Sequence, residues 1–195
     1  MNHAVADSEL DRIEAELGGR AGELERVRLL LADPDPDRRV AAMELLLQSD
    51  DDLYRQRARE FGLFSDDPTL RRTAVHAIFD AGGAFRIEMD PVSEDSTNTG
   101  EFLQRYRGSR DSAGNGSVAF VLTPGFDAEN VCWTDSDDVC RLQPIGDTIH
   151  LTSWRLSGGR VVTGDFELDN AGTLQGHVLI GGSGAPVAAR IPLVD

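Results

Sequence analysis

Residues 160–180 read RVVTGDFELDNAGTLQGHVLI, and this stretch decides the fold of the second half of the chain. Apolar or small residues alternate with polar ones on both sides of the turn sequence Asn170-Ala171-Gly172. The alternation predicts two strands, Arg160–Leu168 and Thr173–Ile180, each with one face buried. Because so short a connection joins antiparallel neighbours, the stretch predicts a hairpin and argues against a βαβ unit.

The same strand signals recur on both sides of this hairpin. They occur at Ser117–Thr123, Asn130–Thr134, Val139–Leu142, Thr148–Leu156 and Val187–Val194. About seven or eight such strands predict an antiparallel β-sandwich or a partly open barrel over residues 117–195. Residues 84–116 are expected to hold a crossing strand at Ala84–Met89, a polar linker and a loop. Pro192 predicts that the last strand lies at a sheet edge, because proline donates no ladder hydrogen bond.

Residues 1–83 have a helical composition, so the whole chain is predicted to be α+β. Within residues 8–31 the leucines recur every seventh position, at Leu10, Leu17, Leu24 and Leu31. Ile13 and Val27 occupy d positions of the heptad, Arg20 interrupts that row, and glutamates fill the g positions. Two adjacent glycines, 18 and 19, weaken a continuous helix. The pattern therefore favours a hairpin of two short helices over a self-associating coiled coil.

Three stretches, 33–50, 51–66 and 66–83, resemble one another. Each opens with acidic or proline turn residues, continues with arginines and an apolar ridge, and ends in Ser-Asp or Gly. The closest matches, Asp35–Leu46 and Asp67–Ile78, are similar to the bacterial HEAT-like helical repeats. The resemblance implies stacked antiparallel helix pairs that serve as a protein-binding surface or scaffold. The alternative is a small helical bundle whose arginines pair with neighbouring acids.

The short turns of the last three strands predict a row of side chains on the outer face of the sheet. Pairing Leu168 with Leu174 places Asp165 opposite His177, and the next turn places Arg190 opposite the histidine. The three residues are catalytic candidates because a histidine held by a carboxylate can act as a general acid or base. Cross-strand charge pairing on a solvated face is the favoured interpretation.

Cys132 and Cys140 lie in NVCWTDSDDVCRL, which reads as a hairpin with an acidic tip. With no further cysteine and no nearby histidine, the pair does not make a zinc site. Cross-strand pairing predicts a disulfide and an oxidising compartment; two reduced thiols in a cytoplasmic protein are the alternative.

The tip of the same hairpin carries two weaker candidates. Carboxylates that could offer oxygen ligands to Ca²⁺ occur at Asp135, Asp137 and Asp138. A solvated acidic turn is the favoured interpretation, because the loop lacks the glycine and the distal glutamate of an EF-hand. Trp133 is a binding candidate if it is exposed, and a packing residue if it lies under the hairpin.

The charge balance restricts the function. The 195 residues include 34 acidic and 19 basic side chains, a net charge of −15, and none of the basic residues is lysine. So acidic a chain argues against binding nucleic acid or anionic membranes. Apolar runs are too short for a membrane span, and no cofactor is predicted.

The sequence therefore predicts a non-enzymatic binding or adaptor protein with a protein partner, periplasmic or secreted if the cysteines are paired. One alternative is a hydrolase that uses Asp165, His177 and Arg190. The other is a structural oligomer assembled through residues 8–31.

Overall fold

A computed structural model describes residues 3–91, 97–181 and 185–194 of the chain. The helices are α1 (His3–Leu31), α2 (Pro36–Leu47), α3 (Asp52–Leu63), α4 (Pro68–Asp80) and α5 (Thr97–Arg105). The strands are β1 (Gly83–Met89), β2 (Ser109–Arg110), β3 (Gly116–Leu122), β4 (Trp133–Thr134), β5 (Cys140–Ile145), β6 (Thr148–Arg155), β7 (Val161–Leu168), β8 (Thr173–Ile180) and β9 (Val187–Pro192). In the part of the chain so described, no helix is long and apolar enough to cross a membrane.

The nine strands form one antiparallel sheet in the order β2-β3-β1-β9-β8-β7-β6-β5-β4, curved into a half-barrel. This confirms the α+β prediction. Of the two predicted arrangements, a β-sandwich and a partly open barrel, the half-barrel corresponds to the partly open barrel. The position predicted for Pro192 is wrong, because β9 lies between β1 and β8. The proline is tolerated there because β1 pairs with β9 only at Ala189 and Arg190, so its missing N–H breaks no ladder on that side.

The apolar face of the sheet forms the core together with α4 and α5. Val118, Phe166 and Val178 are fully buried on this face. Phe79 of α4 packs against Trp133, with ring centroids 5.0 Å apart, and Phe102 of α5 packs edge-on against Trp154 at 5.9 Å. Each such side chain contributes roughly 1.5–3 kcal/mol through burial. The apolar residues of the alternating pattern in the sequence are therefore the ones that the strands bury in the core.

The predicted hairpin at residues 18 and 19 is wrong, because α1 is one continuous helix of 29 residues. Each glycine costs only about 1 kcal/mol in a helix interior, which is too little to force a break. Arg20, directly after the two glycines, is held from two sides: one guanidinium nitrogen lies 3.1 Å from the Glu23 carboxylate and the other 2.6 Å from that of Asp51.

Helices α2 and α4 begin as the sequence predicts. Asp35 and Asp67 are N-caps whose side chains accept the backbone N–H two residues on, and proline follows each cap.

One arginine occupies the equivalent position in each of the three stretches, but its hydrogen-bond partners differ. Arg39 donates to the carbonyl of Asp33 at 2.8 Å, and Arg55 donates to the carbonyl of Ser49, also six residues back. The first two corners are thus braced in the same way.

Arg71, the corresponding arginine of the third stretch, binds the sheet. It donates to the carbonyls of Leu168 and Asp169, the latter at 2.9 Å, and to the side-chain oxygen of Asn170 at 3.1 Å.

The chain divides into two compact units, residues 1–61 and residues 62–195. Helix α4, which the sequence groups with the helical region 1–83, belongs to the unit that contains the sheet.

Candidate functional site

The outer-face row forms only in part. Asp165 lies opposite His177 across β7 and β8, as the short turn predicts. The pairing predicted between His177 and Arg190 is wrong: Ala188 faces the histidine, and Arg190 faces Gln175. The connection between β8 and β9 is longer than the sequence suggests, so β9 is shifted by two residues and keeps the same face outward. Arg190 instead donates to a carboxylate oxygen of Glu88 on β1 at 2.8 Å.

A second histidine, His150 on β6, takes the place beside the aspartate. His150 pairs with Asp165 across β6 and β7, and its Nδ1 lies 2.7 Å from Oδ1 of the aspartate. A bulge between Leu151 and Trp154, where Ser153 has a φ of +59°, shifts the register by one residue. Without the bulge, a register counted back from the pair Arg155–Val161 would place His150 on the opposite face of the sheet. The sequence does not show the bulge, so it does not reveal this contact.

This arrangement can orient an imidazole. A carboxylate at one ring nitrogen fixes the tautomer and leaves the other nitrogen to accept or donate a proton. The side chain of Asp165 is 71% exposed and that of His150 is 26% exposed, so the contact is open to solvent. Among the described residues, no group of three His, Cys, Asp or Glu side chains is placed to hold a metal ion.

The acidic hairpin tip is held by its own hydrogen bonds. Asp135 accepts the N–H groups of Asp137 and Val139 at 3.0 and 3.1 Å, and Nε of Arg141 donates to it at 2.6 Å. Burial alone would raise the pKa of Asp135, but these donors outweigh it and lower the pKa. Asp137 and Asp138 are exposed and do not join Asp135 around a common point. The three calcium candidates therefore form a turn held by its own N–H donors and by Arg141.

The two cysteines of the hairpin meet as predicted. The sulfur atoms of Cys132 and Cys140 lie 2.00 Å apart, at disulfide distance. Trp133 is fully buried, which is the packing alternative for this residue and not the exposed binding candidate. Its Nε1 donates to a carboxylate oxygen of Asp80 at 2.6 Å, so the ring packs under the hairpin and ties it to α4.

His76 on α4 contacts the same tryptophan edge-on, with ring centroids 4.9 Å apart. Burial lowers the pKa of His76; Asp80 opposes this shift and Arg72 adds to it. The histidine also lines a cleft of about 180 Å³ between α4 and the sheet, together with Arg72 and Asp147, which form an ion pair at 3.3 Å. The cleft is smaller than the roughly 300–1,000 Å³ of ordinary ligand pockets, and suits a few water molecules.

Most of the exposed large apolar side chains of the helical unit lie on helix α1. Leu10, Ile13 and Leu17 are 58%, 42% and 64% exposed, although they fall on one stripe of the heptad. Further along the same stripe, Val27 and Leu31 are buried at 6% and 4% exposure. The stripe thus runs from a bare first half into a packed second half.

A groove continues the stripe at its packed end. Leu24, Val27 and Leu31 line it on one side and Phe61 on the other, and its volume is about 510 Å³. Along α1 the stripe from Leu10 to Leu31 is about 30 Å long, with Arg20 interrupting it between Leu17 and Leu24. The heptad spacing is visible in the sequence, but which half of it the helical unit covers is not.

Comparison with known proteins yields no matching family model, no similar curated protein and no similar solved structure. The class of the molecule is therefore defined by its own fold: a helical unit joined in sequence to an α+β unit with an antiparallel half-barrel.

Proposed function

We propose that this chain is a non-enzymatic binding or adaptor protein whose helical unit contacts a protein partner. The observation that carries the proposal is the bare half of the α1 stripe, Leu10, Ile13 and Leu17. Residues 9–19 of the helix are exposed throughout, and isolated helices of this length are marginal in water. A partner that covers the stripe would bury apolar surface and stabilise the helix at the same time.

The HEAT-like resemblance of residues 33–83 supports the same proposal. The matching braces of Arg39 and Arg55 at the corners before α2 and α3 are what a repeated structural unit would show. Repeats of this kind present helix faces to partners. With so few repeats, the partner surface we propose is the α1 stripe and its groove.

We further propose an extracytoplasmic location, periplasmic or secreted. The support is the disulfide-distance pair Cys132–Cys140, because such bonds persist in oxidising compartments. Alkylating the protein in its source cells before lysis, with mass measurement of the labelled chain, tests this. Unlabelled cysteines support the location, and two labelled cysteines in the native cells would place the protein in a reducing compartment.

The binding proposal is tested by affinity capture with three forms of the full chain. The wild type and a Leu10→Asn/Leu17→Asn variant are compared with Ile145→Asn, which changes a similarly exposed residue on β5. We expect the wild type and the control to recover the same protein and the stripe variant to lose it. Recovery by all three forms, or by none at micromolar bait, would contradict the proposal.

A second candidate function, hydrolysis, is favoured by one observation, the 2.7 Å contact between His150 and Asp165. The aspartate would orient the imidazole as a general base toward water. Turnover of ester and phosphoester substrates by the wild type, lost in His150→Gln and kept in Gln175→Ala, would support it. Rates equal to the buffer blank would eliminate it and leave the binding proposal unaffected.

A further inference from the structure

The bare stripe of α1 is bordered by acidic residues on both sides. With leucines at heptad position a, Glu9 and Glu16 occupy g positions and Glu14 occupies the e position between them. These are the positions whose side chains meet the partner helix in a coiled coil. In the described part of the chain none of the three glutamates has an ion-pair or side-chain hydrogen-bond partner. The next g residue, Glu23, is already engaged by Arg20 at 3.1 Å.

A second copy of the same helix is a poor occupant of this stripe. In a parallel pair the g residue of one helix meets the following e residue of the other, so Glu9 would face Glu14. In an antiparallel pair g meets g and e meets e, so glutamate would again face glutamate. Across the bare half of the stripe, Leu10 to Leu17, like charges at these positions oppose pairing in either orientation.

We infer that the occupant is an amphipathic helix of another protein, apolar on one face and carrying lysine or arginine beside that face. This inference rests on the proposed binding function and names the partner's chemistry. Basic residues on the partner would pair with Glu9, Glu14 and Glu16, while its apolar face covers Leu10, Ile13 and Leu17. A partner helix of about three heptads would reach from this region into the groove beside Leu24.

The glycines of α1 fit the same picture. Gly18, Gly19 and Gly22 fall at the outward b, c and f positions, and a Cβ atom built on any of them meets nothing within 4 Å. They therefore lower the helix propensity of α1 without removing a side chain from the stripe. Covering the apolar face would offset the stability that these glycines remove, so we expect partner binding to increase the helicity of α1.

Two synthetic helical peptides of roughly three heptads test the inference. Both carry leucine and isoleucine at a and d; one has lysine at every e and g position, and the other has glutamate there. Each peptide is titrated into the full-length chain by fluorescence anisotropy at neutral pH, at low and at high ionic strength.

We expect the lysine peptide to bind at least about tenfold more tightly than the glutamate peptide, with most of the preference lost at high salt. Glu14→Lys should weaken lysine-peptide binding about threefold, while Asp11→Lys, the same charge change at an outward position, should leave it unchanged. Equal binding of both peptides would overturn the inference and keep the binding function. Failure of both peptides, with the native partner still captured through the stripe, would also overturn it.

Self-association is the remaining outcome. A stable dimer of the chain at neutral pH that Leu10→Asn/Leu17→Asn dissolves would show that the occupant is a second copy. Loss of native-partner capture, in contrast, tests the proposed function, so the two failures are distinguishable.

Discussion

His76 is a half-buried titratable group whose protonation opposes folding. Burial lowers its pKa, so below the ordinary histidine pKa the unfolded chain binds a proton more readily than the folded one. The free energy of unfolding should therefore fall as the pH drops from about 7 to about 5. Denaturant titrations at both pH values should show this loss in the wild type and a smaller loss in His76→Gln. The matched control is His177→Gln on the open sheet face, and a wild-type pH dependence unchanged in His76→Gln contradicts the assignment.

Protonation of Asp135 is also expected to lower the free energy of unfolding as the pH falls, but in a more acidic range. Its pKa is lowered in the folded chain, so its contribution is present above the unfolded pKa and is lost as the pH falls through the folded value. The Asp135 and Arg141 side chains are each 16% exposed, and their closest atoms are 2.6 Å apart. Because Asp135→Ala leaves Arg141 and two N–H groups without their acceptor, we expect a loss of about 1–3 kcal/mol at neutral pH. Asp137→Ala, at an exposed position of the same tip, should cost little; equal losses would show that the network does not stabilise the hairpin.

Helix α1 is the element most open to stabilisation. Gly18, Gly19 and Gly22 have open space around the position of a Cβ atom, so alanine fits at each without a clash. Each change should stabilise the helix by about 0.5–1 kcal/mol, because glycine loses more backbone entropy than alanine on folding. Circular dichroism of the triple variant should show higher helicity and later melting of the helical signal. A matched change in β7, Gly164→Ala, should destabilise, since a Cβ there would lie 2.6 Å from the carbonyl of His177.

The hairpin joining β4 and β5 depends on its cysteine pair. Cys132 and Cys140 enclose a short loop, and closing a loop of this length contributes about 2.5 kcal/mol in the chain-entropy account. Cys132→Ala/Cys140→Ala should therefore lower the free energy of unfolding by that amount, and the reduced wild type should match it. Calorimetry of the three samples checks the prediction. A wild type unaffected by strong reductant would mean that the pair does not contribute to stability.

How far the sequence predicts this fold depends on how local each signal is. The β7–β8 register follows from a short turn and is confirmed, down to the pair Asp165–His177. The positions of His150 and Arg190 depend on a bulge and on a longer connection, whose effect on register no residue pattern shows. The glycines of α1 indicate a break by propensity, yet their cost is small against that of interrupting a helix. Local turns are thus readable from sequence, while register across irregular connections is settled by packing.

At the scale of the whole molecule, the two units use their apolar surface differently. The sheet of residues 62–195 covers its apolar face with α4 and α5, and its outer face carries charged or polar side chains such as Asp165 and His177. Within residues 1–61 the stripe of α1 is covered only toward its end, where Val27 and Leu31 are buried. The uncovered part is therefore apolar surface that a partner would bury.

The net charge of −15 should control whether copies of the chain associate through this stripe. At neutral pH the glutamates beside Leu10, Ile13 and Leu17 keep two stripes apart, so sedimentation should show a monomer. Near the sequence pI of about 4.5 the net charge approaches zero, and the same apolar residues are then free to pair. We expect reversible dimerisation in that range, reduced in Leu10→Asn/Leu17→Asn and kept in Ile145→Asn. If both variants associate as the wild type does, the association is non-specific aggregation near the isoelectric point, and the stripe does not direct it.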